Sequence, residues 1–252
     1  MSDKTSLSRA LIALGDDHLI LGHRLSEWCG HAPTLEEDLS LPNMALDLLG
    51  QARNLYTYAG ELEGKGRSED DLAYLRTDRE YRNCLLVERP NGDFAHTILR
   101  QFYFAAFMQP YWQAVSQGSD DTLRGFADKA VKEIAYHIRH TGEWIVRLGD
   151  GTDESARRMA DAVEALHPYT DELFQITADM RPAIGASILP DLETLRAPWQ
   201  ETVDTVFRQA FLTAPEVPYP QEGGRDGRHT EDFGYLLAEL QYMQRAYPGL
   251  TW

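Results

Sequence analysis

Apolar residues recur with a heptad-like period over four stretches of the chain, and each stripe is interrupted near its middle by a polar residue that is not a carboxylate. This spacing predicts four amphipathic helices. The first stripe consists of Leu7, Leu11, Leu14, His18, Leu21, Leu25 and Trp28, and the second of Met44, Leu48, Gln51, Leu55 and Tyr58. The third consists of Phe94, Thr97, Gln101, Phe104, Met108 and Tyr111, and the fourth of Ala127, Ala130, Ile134, His137, Thr141 and Leu148.

Capping and turn residues set the predicted limits of these helices. The first covers about 5–29, the second begins at Pro42 and runs to about 61, the third covers about 93–117, and the fourth follows Asp120 and ends near 148. Shorter helices are predicted over 68–76, 77–88, 152–167, 169–180, 191–211 and 231–246. Alternation of β-branched residues is absent from the sequence, so an all-α fold in a single domain, residues 1–252, is expected.

Four helices with polar side chains at core positions are typical of a ferritin-like four-helix bundle, in which such side chains hold two metal ions. The predicted fold is therefore this bundle with additional C-terminal helices. Two divalent ions bring four positive charges into a low-dielectric core, and carboxylates must neutralise them. The stripes instead supply His18, Gln51, Gln101 and His137, with Arg100 beside them, and no acid. The expected centre is polar, uncharged or weakly cationic, and free of metal.

Two acid–histidine pairs have the i, i+3 spacing of a metal-binding helix face. Glu164 and His167 match it, but Glu164 falls on the polar side of its helix. Asp93 and His96 match it as well, but Asp93 stands where a helix N-cap is required. A second hypothesis is an unusual metal site built from the stripe histidines and outlying carboxylates: His18, His137, Asp17 and Asp47.

Composition excludes several classes of function. The net charge of −16, from 40 acidic and 24 basic residues, argues against non-specific binding to nucleic acid or anionic membranes. Cys29 and Cys84 lie far apart and match no zinc spacing, which favours a reduced, cytoplasmic setting. The longest apolar-rich run, around 102–108, is too short to span a bilayer, and the N-terminus does not resemble a signal peptide. Gly-rich phosphate loops and Gly-x-Ser-x-Gly elbows are absent from the sequence.

Several segments together resemble the C subunits of bacterial ring-1,2-phenylacetyl-CoA epoxidases, which serve aerobic phenylacetate breakdown. The longest segment is Leu14–Trp28. The others are Ala45–Arg53, Val87–Ala95, Lys132–His137, Arg147–Thr152, Gly227–Glu231 and Gln244–Gly249. The likeness spans almost the whole chain, and the combination of segments is specific although each is weak by itself.

The resemblance implies a division of labour between subunits. In this family a ferritin-like A subunit holds the di-iron centre, and the C subunit resembles a paralogue that lost its metal. A small B subunit takes part, and a reductase subunit that uses NADPH, flavin and an iron–sulfur cluster binds transiently. The complex inserts one oxygen atom from O2 into the ring of phenylacetyl-CoA, near which this chain is expected to lie. The implied role is a non-catalytic structural subunit without a cofactor of its own.

The same resemblance implies where metal ligands were lost. The ligand Glu and His of the second helix fall on Leu48 and Gln51, and the ligand Glu of the fourth helix falls on Ile134, beside a surviving His137. The first-helix Glu falls near His18, and the third-helix position falls near Arg100 or Gln101. No catalytic, cofactor-binding or metal residue is therefore expected. The alternatives are a metalloprotein with its own histidine-based site and a stand-alone helical scaffold.

Overall fold

The computed structural model describes residues 3–250, in which helices occur and strands do not, so the all-α prediction is confirmed. The α-helices of this range are α1 (Asp3–Ser26), α2 (Leu35–Glu63), α3 (Glu69–Tyr74), α4 (Leu85–Glu88), α5 (Phe94–Val115), α6 (Asp121–Gly149), α7 (Asp153–Leu166), α8 (Arg181–Gly185), α9 (Arg196–Gln209) and α10 (Glu231–Ala246). None of these helices combines the length and the hydropathy needed to cross a membrane.

The chain forms two compact units. The first comprises Met1–Pro90 and Gly223–Trp252, and the second comprises Asn91–Glu222. Helices α1, α2, α3, α4 and α10 belong to the first unit, and α5 to α9 belong to the second. The organisation as one domain over 1–252 stays a prediction.

In the first unit, α1 packs along α2 through the stripes that the sequence predicts. Leu11 and Leu21 on α1, and Leu48 and Leu55 on α2, are each no more than 1% exposed. A Cβ atom at Gly15 would lie 2.6 Å from the ring of Tyr56. Glycine at this position therefore allows the two helices to approach closely.

Helix α2 begins at Leu35, so the predicted start at Pro42 is wrong. Thr34 is the N-cap, and its side chain accepts a hydrogen bond from the backbone N–H of Glu37. Acidic residues in the first turn stabilise the positive end of the helix dipole. Pro42 lies inside the helix and has no N–H to donate to the preceding turn. The buried side chains of Leu41 and Met44, on either side of it, hold this part of the helix against the core.

The predicted helix over 77–88 is also wrong. A 3₁₀ turn at Asp78–Glu80 is followed by extended backbone at Tyr81 and Cys84, and helix resumes only in α4. The N–H groups of Arg82 and Cys84 donate to the carboxylates of Asp16 and Asp17, at 2.8 and 2.7 Å. These N–H groups are thus committed to side chains instead of helical hydrogen bonds. The predicted helix over 169–180 is likewise reduced to a short 3₁₀ segment at Asp171–Phe174.

In the second unit, α5 is buried on nearly all sides by α6, α7 and α9. Asp93, Asp120 and Thr152 cap α5, α6 and α7, with side-chain oxygens 3.0, 2.9 and 3.2 Å from backbone nitrogens. These caps are the ones that the sequence predicts. Ala127, Ala130 and other members of the fourth stripe are fully buried.

Asp16 is the centre of a buried ionic network in the first unit. Its carboxylate pairs with Arg76 and accepts hydrogen bonds from the Tyr56 hydroxyl at 2.6 Å and from the Arg82 N–H at 2.8 Å. The side chains of Asp16 and Arg76 are 0 and 5% exposed. Burial alone would lower the pKa of Arg76, but the facing Asp16 carboxylate raises it above its usual value. For the Tyr56 hydroxyl, burial raises the pKa well above its usual value.

Tyr103 joins α5 to the end of α7 in the second unit. Its buried hydroxyl lies 3.0 Å from Nδ1 of His167, and both rings pack near Trp199. Burial lowers the pKa of His167, although Asp171 and Glu164 oppose this shift. Burial also raises the pKa of Tyr103 well above its usual value. A protonated Tyr103 hydroxyl can donate to Nδ1 of a neutral His167 at this distance.

Replacement of Asp16 by asparagine should destabilise the protein strongly. The change keeps the volume but leaves the buried Arg76 cation without its counter-charge, which costs about 3–5 kcal/mol. Urea denaturation at pH 7 measures the loss. As a control, Asp161→Asn disrupts the exposed Arg157–Asp161 pair and should change little. Equal stability of the two variants would show that the Asp16 network does not support the first unit.

His167 should make stability depend on pH. The unfolded chain binds a proton near the ordinary pKa of 6.5, whereas the folded chain resists protonation at Nδ1. Stability from this residue is present above pH 6.5 and is lost as pH falls from 6.5 towards the lower folded pKa. Denaturation at pH 7.5 and 5.5 should show a smaller loss in His167→Gln than in the parent. The exposed control His31→Gln should retain the parent's loss.

Candidate functional site

Three of the predicted lost-ligand positions lie in the first unit. His18 on α1 is 0% exposed, and Leu48 and Gln51 on α2 are 0 and 2% exposed. Nδ1 of His18 lies 2.7 Å from the backbone carbonyl oxygen of Leu14. Since a carbonyl can only accept, the ring donates its Nδ1 proton there. This hydrogen bond fixes the orientation of the imidazole within its own helix.

The other two positions, Ile134 and His137, lie on α6 in the second unit and are both 0% exposed. Nδ1 of His137 lies 3.1 Å from the side-chain amide Nε2 of the buried Gln101 on α5. An amide N–H that donates to Nδ1 places the ring proton on Nε2. Arg100, next to Gln101, is also buried, and its guanidinium donates to the side-chain oxygen of Asn91. His137 is thus hydrogen-bonded to Gln101, whereas the side chain of Arg100 contacts Asn91 just before α5.

In neither unit do the side chains at these positions fit the ligands of divalent ions. Leu48 and Ile134 have no atom that binds a metal, and Gln51 carries no charge. Within residues 3–250, no group of three or more His, Cys, Asp and Glu side chains is close enough together to hold a metal ion. The burial that the stripes predict is present at all five positions, and their descent from metal ligands stays a prediction.

Three buried carboxylates of the first unit, Asp16, Asp17 and Glu88, are held by hydrogen bonds from distant parts of the chain. Asp17 accepts two hydrogen bonds from Arg225, at 3.0 and 2.8 Å, and one from the N–H of Cys84 at 2.7 Å. Burial raises the pKa of Asp17, and the Arg225 guanidinium opposes that shift. Asp17 is therefore committed to an ion pair, and Asp47, the other outlying acid, is only half-buried on α2.

Glu88 is the third carboxylate of this kind. It accepts hydrogen bonds from His229 at 2.7 Å, from Asn83 at 2.9 Å and from the N–H of Thr230 at 2.6 Å. The second ring nitrogen of His229 lies 3.2 Å from the carbonyl oxygen of Tyr81. Both ring nitrogens of His229 are therefore engaged in hydrogen bonds that hold the ring against Glu88.

In the structure, the residues of the two acid–histidine pairs have other environments. Glu164 is exposed, and His167 is held by Tyr103. Oδ1 of Asp93 accepts from the backbone N–H of His96 at 3.0 Å and lies 2.8 Å from its ring Nδ1, as in a helix N-cap. The capping interpretation of Asp93 is therefore confirmed.

Sequence reasoning missed the Asp16, Asp17 and Glu88 pairs. Their partners are 60, 208 and 141 residues away, so no local spacing reveals them. One signal was available: two adjacent acids, Asp16 and Asp17, precede His18 in the otherwise apolar middle of the first helix. Buried acids require cationic partners, but the sequence does not show which arginines supply them.

Comparisons with known proteins place the chain in a family. The family model described as "Phenylacetic acid catabolic protein" matches residues 1–252. The C subunit of the 1,2-phenylacetyl-CoA epoxidase of Escherichia coli (strain K12) is 44% identical over 246 residues, which cover 98% of this chain and 99% of that protein. An all-helical fold of the ferritin-like type accords with this match. The chain belongs to the phenylacetic acid catabolic protein family.

Proposed function

We propose that this chain is the non-catalytic structural subunit of a multicomponent di-iron monooxygenase that epoxidises the ring of phenylacetyl-CoA. The similarity to an epoxidase C subunit over nearly its full length supports a place in such a complex. The proposal of a structural, non-catalytic role rests on the side chains found at the core positions. Apolar or neutral side chains occupy the positions where the resemblance places metal ligands: Leu48, Ile134 and Gln51.

The proposed partners follow from the family resemblance. The di-iron centre would belong to an A-type catalytic subunit, with a small B subunit in the same assembly. A reductase subunit would bring electrons from NADPH through flavin and an iron–sulfur cluster. The present chain would shape and stabilise the assembly near the CoA thioester without touching the reacting atoms. A cytoplasmic location is proposed as well, in line with two cysteines that form no disulfide.

The competing function, a metalloprotein with its own histidine-based site, finds little support in the described residues. Such a site would need a carboxylate beside His18 or His137. Asp17 is already paired with Arg225, and Nδ1 of His137 lies in a hydrogen bond with Gln101. The stand-alone scaffold differs from the proposal in one respect only, the absence of a partner subunit.

Co-expression with an A-type subunit tests the proposal directly. A stable complex should co-purify, and iron counted per chain should follow the A-type subunit. The present chain purified by itself should contain no stoichiometric iron. Stoichiometric iron in the isolated chain would support the metalloprotein instead, and failure of the two chains to associate would support the scaffold.

The absence of charge at the lost-ligand positions can be tested with Leu48→Glu. This change places an uncompensated carboxylate at a site that is 0% exposed, and the expected loss is roughly 3–5 kcal/mol. Thermal denaturation should show a midpoint lower by about 10 °C.

Leu46→Glu, on the same helix at a site that is 65% exposed, is the matched control. Its midpoint should stay close to that of the parent. If Leu48→Glu melts like Leu46→Glu, the position accepts a charge and the argument for a metal-free centre fails.

A further inference from the structure

The outer face of α2 carries a row of apolar residues that the described part of the chain leaves uncovered. Leu35, Leu39 and Leu46 are 71, 59 and 65% exposed, and the half-buried Pro42 and Leu49 complete the row. Isolated exposed leucines are ordinary, but a contiguous row of them marks an interaction surface. We call these five residues the outer seam.

The spacing of the outer seam is that of a coiled coil. Successive members lie four, three, four and three residues apart, which is the alternation of the a and d positions. Helix α2 therefore has two apolar faces. One, with Leu41, Met44 and Leu48, is buried, and the other is exposed. Lysine or glutamate would form the helix equally well at the exposed positions, so helix formation does not explain the leucines.

The outer seam leads into a cavity of about 370 Å³ in the first unit. Leu49 belongs to both, and Tyr56 and Tyr74 form part of the cavity wall. Arg53 and Glu69 line the cavity and pair with each other at 3.2 Å. Pockets that accept one large side chain beside a flatter apolar contact are the usual place for the residues that dominate binding energy.

Charge along the seam selects the kind of partner. Residues 35–52 contain Glu36, Glu37, Asp38 and Asp47 but no Lys, Arg or His, and the first cation is Arg53. Charges beside a heptad seam decide which helix pairs with it. If a second copy of this chain bound here, the acids of the two copies would face each other, and Arg53 would be the only nearby cation to pair with them. Each copy also carries a net charge of −16, so the two copies would repel each other.

We propose that the outer seam of α2 is the docking surface for a helix of a different polypeptide. That helix has an apolar heptad stripe flanked by lysine and arginine, and one of its large side chains enters the cavity next to Leu49. The inference rests on the proposed function, because it places this helix on the A-type catalytic subunit.

The double variant Leu39→Asp/Leu46→Asp tests the surface. Both sites are exposed, so the isolated variant should fold and melt like the parent. Its Kd for the purified A-type subunit, measured by titration calorimetry, should rise at least about 30-fold. Leu75→Asp is the matched control, since Leu75 is 56% exposed in the same unit but lies outside the seam, and it should bind like the parent.

Glu36→Lys tests the charge of the partner. Because lysine and arginine flank the proposed partner helix, reversal of the charge at position 36 should weaken binding about fivefold at low salt. The difference from the parent should shrink at high salt. If Glu36→Lys binds the A-type subunit as tightly as the parent, or more tightly, the proposal that basic residues flank the partner helix is wrong.

The outcomes separate this inference from the proposed function. If the parent chain does not bind the A-type subunit, the proposed function fails. If the parent and the double variant bind it equally well, the docking surface is wrong while the proposed function stands. If the isolated parent is a dimer that the double variant dissociates, a second copy occupies the seam and the proposal is overturned.

Discussion

A charge buried in a helical core is stable only when an opposite charge accompanies it, and the structure of this chain depends on that constraint. In a bundle with two divalent ions, the metals and the carboxylates neutralise each other. In this chain the carboxylates Asp16 and Asp17 are neutralised by Arg76 and Arg225, and Glu88 accepts hydrogen bonds from His229, Asn83 and Thr230. The positions that the family resemblance links to metal ligands are apolar or uncharged. Both observations concern the same requirement for a balance of buried charge.

The cations that meet these acids also determine local structure. Because Asp16 and Asp17 take the N–H groups of Arg82 and Cys84, the segment between α3 and α4 cannot form a continuous helix. Arg225 follows two glycines, of which Gly223 has a φ of +141°. A Cβ atom at the other, Gly224, would lie 2.1 Å from the carbonyl oxygen of Asn83. Glycine is therefore required where the loop brings Arg225 to Asp17.

Local patterns in the sequence predicted the helices and most of their caps, because periodicity and capping depend on residues within a few positions of each other. The burial of Leu48 and Ile134 followed from the same periodicity. Long-range ion pairs could not be predicted, since one sequence does not show which arginine meets Asp17. The early start of α2 was missed because Pro42 was given more weight than the cap at Thr34. The outer seam was missed because one apolar face per helix was considered, and α2 has two.

The ion pairs of the first unit have a consequence for synthesis of the chain. The ribosome releases residues 1–90 well before residues 223–230, which carry the guanidinium for Asp17 and the imidazole for Glu88. The second unit is continuous, so all of its contacts are available as soon as residue 222 emerges. Asp17 and Glu88 therefore lack these partners until the end of synthesis, whereas Asp16 finds Arg76 within residues 1–90, so we expect completion of the first unit to be the last step. A polypeptide that stops short of Arg225 leaves Asp17 without its counter-charge and should be more open to proteolysis.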